Sequence, residues 1–95
     1  MEFDWINTPF EFDGRLGPLE VEESFEDPFA VRLLPDSARF SVQARYFNLG
    51  KSAAGNGVFA VYRTNGKVIR VVLARPFTEA EEYFYQRKLK QTLEA

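Results

Sequence analysis

The chain has 95 residues, a formal net charge of -2 and a pI near 5.1, and it contains neither cysteine nor histidine. That length supports one small domain with a limited core. Disulfides, thiol nucleophiles, thiolate and imidazole metal sites and imidazole acid–base chemistry are excluded, so any catalysis falls to carboxylates, Tyr, Ser/Thr, Lys or Arg. The acidic start Met1-Glu2-Phe3-Asp4-Trp5 has no apolar leader character, and no apolar run reaches bilayer length. The expectation is a cytoplasmic domain with no membrane partner. Charge is unevenly spread. Residues 1–36 hold ten acids against two cations, whereas residues 37–78 hold seven cations and no acid. Those cations are Arg39, Arg45, Lys51, Arg63, Lys67, Arg70 and Arg75. They could face an anionic partner, or they could be neutralised by the chain's own acidic front.

In chain order, Phe3, Trp5, Phe10 and Phe12 alternate with Glu2, Asp4, Glu11 and Asp13 about Asn7-Thr8-Pro9, which predicts a β-hairpin. Gly14-Arg15-Leu16-Gly17-Pro18 reads as a loop. Residues 19–27 fit a short helix, with Pro18 at its start, Val21 and Phe25 on one face, and Pro28 as its stop. Glu22, Glu23, Glu26 and Asp27 lack the spacing of a calcium loop and read as a solvated acidic face, so no metal or other cofactor is expected. Residues 29–34 predict a strand that Pro35 ends. From Arg39, polar Arg39, Ser41, Gln43 and Arg45 alternate with Phe40, Val42, Ala44 and Tyr46, a half-buried strand whose alternation breaks at Phe47-Asn48-Leu49 as if at a bulge. Gly50-Lys51-Ser52 has the end of a phosphate loop but not its spacing: the earlier glycine position is Arg45, and no helix follows.

Residues 58–75 are the strongest local signal. Two β-branched and aromatic runs flank Asn65-Gly66, the dipeptide favoured in a two-residue hairpin turn. Such a turn would pair Tyr62 with Ile69, Ala60 with Val71 and Val58 with Leu73. One face would then carry Val58, Ala60, Tyr62, Ile69, Val71 and Leu73, and the other Phe59, Val61, Arg63, Arg70 and Val72. Without a bulge, alternation sets Arg70 and Arg75 on opposite faces. Thr78 and Glu81 form a capping box opening a helix over residues 79–93, with Tyr85, Leu89 and Leu93 as its apolar stripe, predicted to cover a sheet face. The order of elements predicts one α+β domain: a twisted antiparallel sheet with a short helix and a C-terminal helix packed on it.

Three stretches together resemble the BrnT-type toxins, small bacterial ribonucleases of RelE-like fold from type II toxin–antitoxin pairs. They are Phe25-Glu26-Asp27-Pro28, Arg45 followed after four residues by Gly50-Lys51-Ser52, and the run from Ile69-Arg70-Val71-Val72 through Ala74-Arg75 to Thr78 and Glu81, with Tyr85 behind. The resemblance covers the chain from Phe25 onward. It departs at the front, where the family carries a first helix ending in Lys-His-Gly, and in net charge, since the family tends to be basic. It implies RNA as substrate and a cognate antitoxin as protein partner. Cutting RNA by internal 2′-hydroxyl attack needs cations on the phosphate and groups that move protons. The sequence offers Arg45, Arg70 and Arg75 for the first and Glu81 or Tyr85 for the second. Arg70, Arg75, Glu81 and Tyr85 are the catalytic candidates, with Arg45, Lys51, Arg63, Arg70 and Arg75 as the nucleic-acid-binding set. The missing histidine and the acidic front leave a second reading open: a catalytically inactive scaffold that keeps the antitoxin or self-association surface, the latter giving a homo-oligomer.

Overall fold

The computed structural model describes residues 2–6, 16–33 and 45–94. Its elements are β1 (Glu2–Phe3), α1 (Pro18–Glu26), β2 (Val31–Leu33), β3 (Tyr46–Lys51), β4 (Gly57–Thr64), β5 (Val68–Pro76) and α2 (Glu79–Glu94). The strands form one sheet in the order β1-β5-β4-β3-β2. The α+β class is as expected, but the sheet is mixed: β2 to β5 pair antiparallel, and β1 lies parallel on β5 through Glu2 opposite Val68 and Phe3 opposite Ile69. The second arm of the predicted N-terminal hairpin lies outside the described residues. So do the loop at Gly14-Arg15 and the alternating run from Arg39 to Ala44.

The β4–β5 hairpin forms, but not with the two-residue turn. Thr64 opposes Ile69, so four residues connect the last pair, and only Gly66 takes positive φ, at 93°. The Asn65 side chain organises this turn, its Oδ1 accepting from the backbone N–H groups of Lys67 and Val68 at 2.9 Å each. The longer turn slides the pairing by two residues, which leaves every side chain on its predicted face. A bulge then slides it by one more. Tyr62 opposes Val71 but Val61 opposes Leu73, so Val72 is the extra residue. Beyond it the strand is inverted: Leu73 goes to the outer face, and Ala74 takes its place in the core.

The inner face carries Tyr46, Asn48, Val58, Ala60, Tyr62, Ile69, Val71 and Ala74, all buried, and α1 covers it. Val21 and Phe25, four residues apart, are 0% and 3% exposed, and each contributes roughly 1.5–3 kcal/mol by leaving water. An aromatic chain runs Trp5, Phe3, Phe25, Tyr62, Tyr46 with successive centroids 5.0–5.7 Å apart. Asn48 is fully buried, donating to the Ser24 carbonyl and accepting from Arg32 Nε, while Arg32 Nη2 donates to the Phe25 carbonyl. Phe47-Asn48-Leu49 therefore lacks alternation without any bulge: Asn48 on the inner face and Leu49 on the outer are both buried within a regular strand, whereas Phe47 is only partly covered.

α2 opens with the capping box expected: Thr78 N–H donates to Glu81 Oε1 at 2.8 Å and Glu81 N–H to Thr78 Oγ1 at 3.3 Å. Its apolar stripe does not run along the sheet. Tyr85 is 3% exposed, but Leu93 is 68% exposed, so only the N-terminal half of α2 is seated.

The closest approach is at Gly50. A Cβ there would stand 2.0 Å from the Ser24 carbonyl oxygen, a backbone atom of α1 that cannot swing aside. Gly50→Ala is therefore expected to destabilise the fold by about 1–3 kcal/mol, read as a lower urea midpoint. An unchanged midpoint would mean α1 is not seated on β3 at this distance.

Candidate nucleic-acid interface

The outer face is a ladder of rows set by strand register. Arg63 and Arg70 stand directly opposite one another near the hairpin turn. The next row holds Phe47, Val61 and Leu73, and the one after it Leu49, Phe59 and Arg75, followed by Lys51 opposite Gly57. Phe47 and Phe59 stack at 5.8 Å, and the Arg75 guanidinium lies 4.3 Å from the Phe59 ring centroid. Arg45 is exposed and sits one residue before Tyr46, which opposes Tyr62, so it lies at the same end of the sheet as Arg63. The Val72 bulge is what puts Arg63, Arg70 and Arg75 on one face. Strict alternation would have turned Arg75 into the core.

The two ends of this face differ in how their cations are held. At the α2 end, Arg75 makes a two-pronged pair with Glu81, Nη1 to Oε1 at 2.7 Å and Nη2 to Oε2 at 2.8 Å. Burial alone would raise the Glu81 carboxyl. The Arg75 hydrogen bonds and the Thr78 N–H outweigh it and hold the group below its ordinary value, and the same pairing raises Arg75. Lys51 Nζ donates to Glu82 at 2.8 Å and lies 5.2 Å from the centre of the Tyr85 ring. The Tyr85 hydroxyl donates to Asp27 Oδ2 at 2.6 Å, and the Lys51 backbone N–H donates to the same oxygen at 2.8 Å. Burial first, then the Asp27 acceptor and its charge, push the Tyr85 phenol well above its ordinary value. Asp27 thus ties α1, β3 and α2 together.

At the turn end, Arg70 Nη2 donates to Asp4 Oδ2 at 2.9 Å, and that hydrogen bond, with the Ile6 N–H, lowers the Asp4 carboxyl. Among the described residues Arg45, Arg63 and Lys67 have no carboxylate partner, and Arg63 Nε is buried without a hydrogen-bond acceptor. Among the described residues, then, the acidic front supplies one partner, Asp4, and α2 supplies two, Glu81 and Glu82.

Of the four residues considered for catalysis, Arg75 and Glu81 are in contact. Tyr85 stands one helical turn beyond Glu81 but its hydroxyl is turned to Asp27, and Arg70 is at the other end of the face with Asp4. Glu22, Glu23, Glu26 and Asp27 do not converge, and no cation-binding cluster occurs among the described residues. Sequence reasoning did not find the structural part of Asp27 or the facing of Arg63 with Arg70. The Phe25-Glu26-Asp27-Pro28 motif was the available signal for the first; only the turn length could have given the second. Comparison of the chain with family models, curated proteins and solved structures returns no significant match.

Two outcomes follow from these pairings. Glu81 titrates below its ordinary value of 4.5, so its contribution to stability is present above that pH and is lost as the pH falls through the lowered, folded value. Glu81→Gln should be less stable than the parent at pH 7, with the difference shrinking below about pH 4 in thermal melts. A difference independent of pH would remove the ion pair as the cause. Separately, Tyr85→Phe should lower stability by about 1 kcal/mol, the net value of one hydrogen bond, measured by urea unfolding.

Proposed function

We propose that this chain is the BrnT-like member of a toxin–antitoxin pair and that the outer face of its sheet engages RNA, with slow cleavage. The observation that carries this reading is the one-residue bulge at Val72, which sets Arg63, Arg70 and Arg75 on a single face with the partly exposed rings of Phe47 and Phe59. Guanidinium groups bound to a sheet with aromatic surface between them suit a single strand, whose phosphates take the cations and whose bases take the rings. Arg45 and Lys51 extend the set at either end of β3.

Cleavage by the internal 2′-hydroxyl needs a proton acceptor, a donor to the leaving oxygen and cations on the phosphate. Glu81 is a weak base while Arg75 clasps it, and Tyr85 is a poor acid while Asp27 holds its proton. Turnover must first break one of those contacts, which is the physical reason for a low rate. The same contacts favour a second reading. In it the scaffold has no catalysis and acts by binding its antitoxin or a second copy of itself, with Glu81 and Tyr85 serving the fold alone.

The purified protein should bind single-stranded RNA with a log–log salt slope of about -2 if three phosphates are neutralised, and Arg70→Ala should reduce that slope by about 0.7. Cleavage, followed on the same RNA at high protein concentration, should be slow and lost in Arg70→Ala. Absence of both binding and cleavage would end the RNA reading. Relief of growth arrest by the product of the adjacent reading frame is the matching test of the antitoxin partner.

A further inference from the structure

We infer that the notch between Arg63 and Arg70 is a site for a terminal phosphate, a phosphomonoester dianion, and that Asp4 holds one of its two guanidinium groups until the ligand takes it. The inference rests on the RNA reading for where the phosphate comes from, and on the notch itself for the chemistry.

The notch is an open depression of about 190 Å3 lined by Arg63, Thr64, Asn65, Val68 and Arg70. Two like charges directly opposite each other on adjacent antiparallel strands destabilise the pairing unless an anion lies near both. Among the described residues one carboxylate pairs with one of the two guanidiniums. Asp4 reaches Arg70, and Arg63 is left with its Nε buried and without an acceptor among the described residues. The Arg63 guanidinium lines the notch without a carboxylate partner among the described residues, and an anion bound there would supply one.

The turn adds direction. Thr64 Oγ1 donates to the Val68 carbonyl and accepts from Gly66 N–H, and Asn65 Oδ1 accepts from Lys67 and Val68. Both side-chain oxygens are thereby committed within the turn, and the Asn65 amide NH2 is the donor that remains at the rim. Of the polar side chains lining the notch, those not committed within the turn are donors: the two guanidiniums and the Asn65 amide, as a phosphate requires.

The charge of the ligand follows from Asp4. A phosphodiester carries one negative charge and would only exchange with the Asp4 carboxylate on Arg70. A phosphomonoester carries up to two at neutral pH and three acceptor oxygens, so it can engage Arg63 and Arg70 together and replace the single charge it displaces. Asp4 is suited to yield. It lies just past β1, a two-residue strand held to β5 by a short parallel pairing and the Asp4 N–H to Ile69 carbonyl bond. Arg70 is also the more open partner, its side chain 55% exposed.

The test uses the full chain and three fluorescently labelled RNA 8-mers of one sequence: 5′-phosphorylated, 3′-phosphorylated, and with hydroxyls at both ends. Adenosine 5′-monophosphate and adenosine serve as competitors. A terminal phosphate at one end should tighten binding by about tenfold, and the monophosphate but not adenosine should compete. Arg63→Gln should abolish the difference between the phosphorylated and hydroxyl-ended 8-mers, on top of the general loss of RNA affinity expected from removing one cation of the face. Asp4→Asn should strengthen binding of the monophosphate several-fold, because asparagine can still accept from the Ile6 N–H but no longer occupies Arg70 as an anion. This gain cannot come from a misfolded variant. Equal binding of all three 8-mers with no competition by the monophosphate overturns the notch and leaves the RNA reading standing. Arg63-dependent binding of the monophosphate with no binding of any 8-mer upholds the notch, with a free nucleotide as its ligand, and ends the RNA reading. If none of these probes binds, both fall.

Discussion

One inserted residue decides the character of this protein's surface. Up to Val71, β5 follows the alternation of its neighbour β4, with Ile69 and Val71 in the core and Arg70 outside. Had the alternation continued, Leu73 would have entered the core and Arg75 would have followed it there. A guanidinium under α1 would have needed a buried partner at a cost of several kcal/mol. Val72 absorbs the difference. Ala74 drops into the buried layer opposite Ala60, and Arg75 emerges beside Phe59. The bulge is thus the common origin of a well-packed inner face and a cationic, aromatic outer one.

The outer face is divided by what each end is fastened to. At one end Asp27 receives both the Tyr85 hydroxyl and the Lys51 backbone N–H. Glu81 meanwhile serves as helix cap and as partner to Arg75, so the start of α2, the end of α1 and the edge of β3 form one hydrogen-bonded unit. Such a unit is rigid and its ionisable groups are committed. At the other end, among the described residues, Asp4 just past β1 pairs with Arg70 and leaves Arg63 without a carboxylate. The proposed binding chemistry sits where cations without a carboxylate partner remain among the described residues, which is the hairpin end.

Local rules read most of the architecture from the residues. Pro18 and Pro28 bracket α1, Thr78 and Glu81 start α2, and the β-branched runs around Asn65-Gly66 form β4 and β5. What local rules could not supply was register. An Asn-Gly pair signals a turn but does not set its length, and here the Asn65 side chain, by capping two backbone N–H groups, stabilises a wider loop than the two-residue form. A bulge within a continuous valine run leaves no trace, because Val71 and Val72 suit either face equally. Tyr85 was legible as a buried position on α2 but not as the partner of Asp27, 58 residues away in sequence. The C-terminal helix packs on the sheet as expected, but over its N-terminal half only, for a related reason. An apolar stripe reveals which side of a helix prefers burial, whereas the pairings at Arg75 and Asp27 determine how much of it is seated.

The register of the β4–β5 ladder is the point on which the shared face of Arg63, Arg70 and Arg75 depends, and backbone nuclear Overhauser contacts report it directly. Short cross-strand contacts should link Tyr62 with Val71, Val61 with Leu73 and Phe59 with Arg75, with Val72 opposite no residue of its own. An unbroken ladder, with Val61 facing Val72 and Ala60 facing Leu73, would place Arg75 with the core side chains and contradict the account.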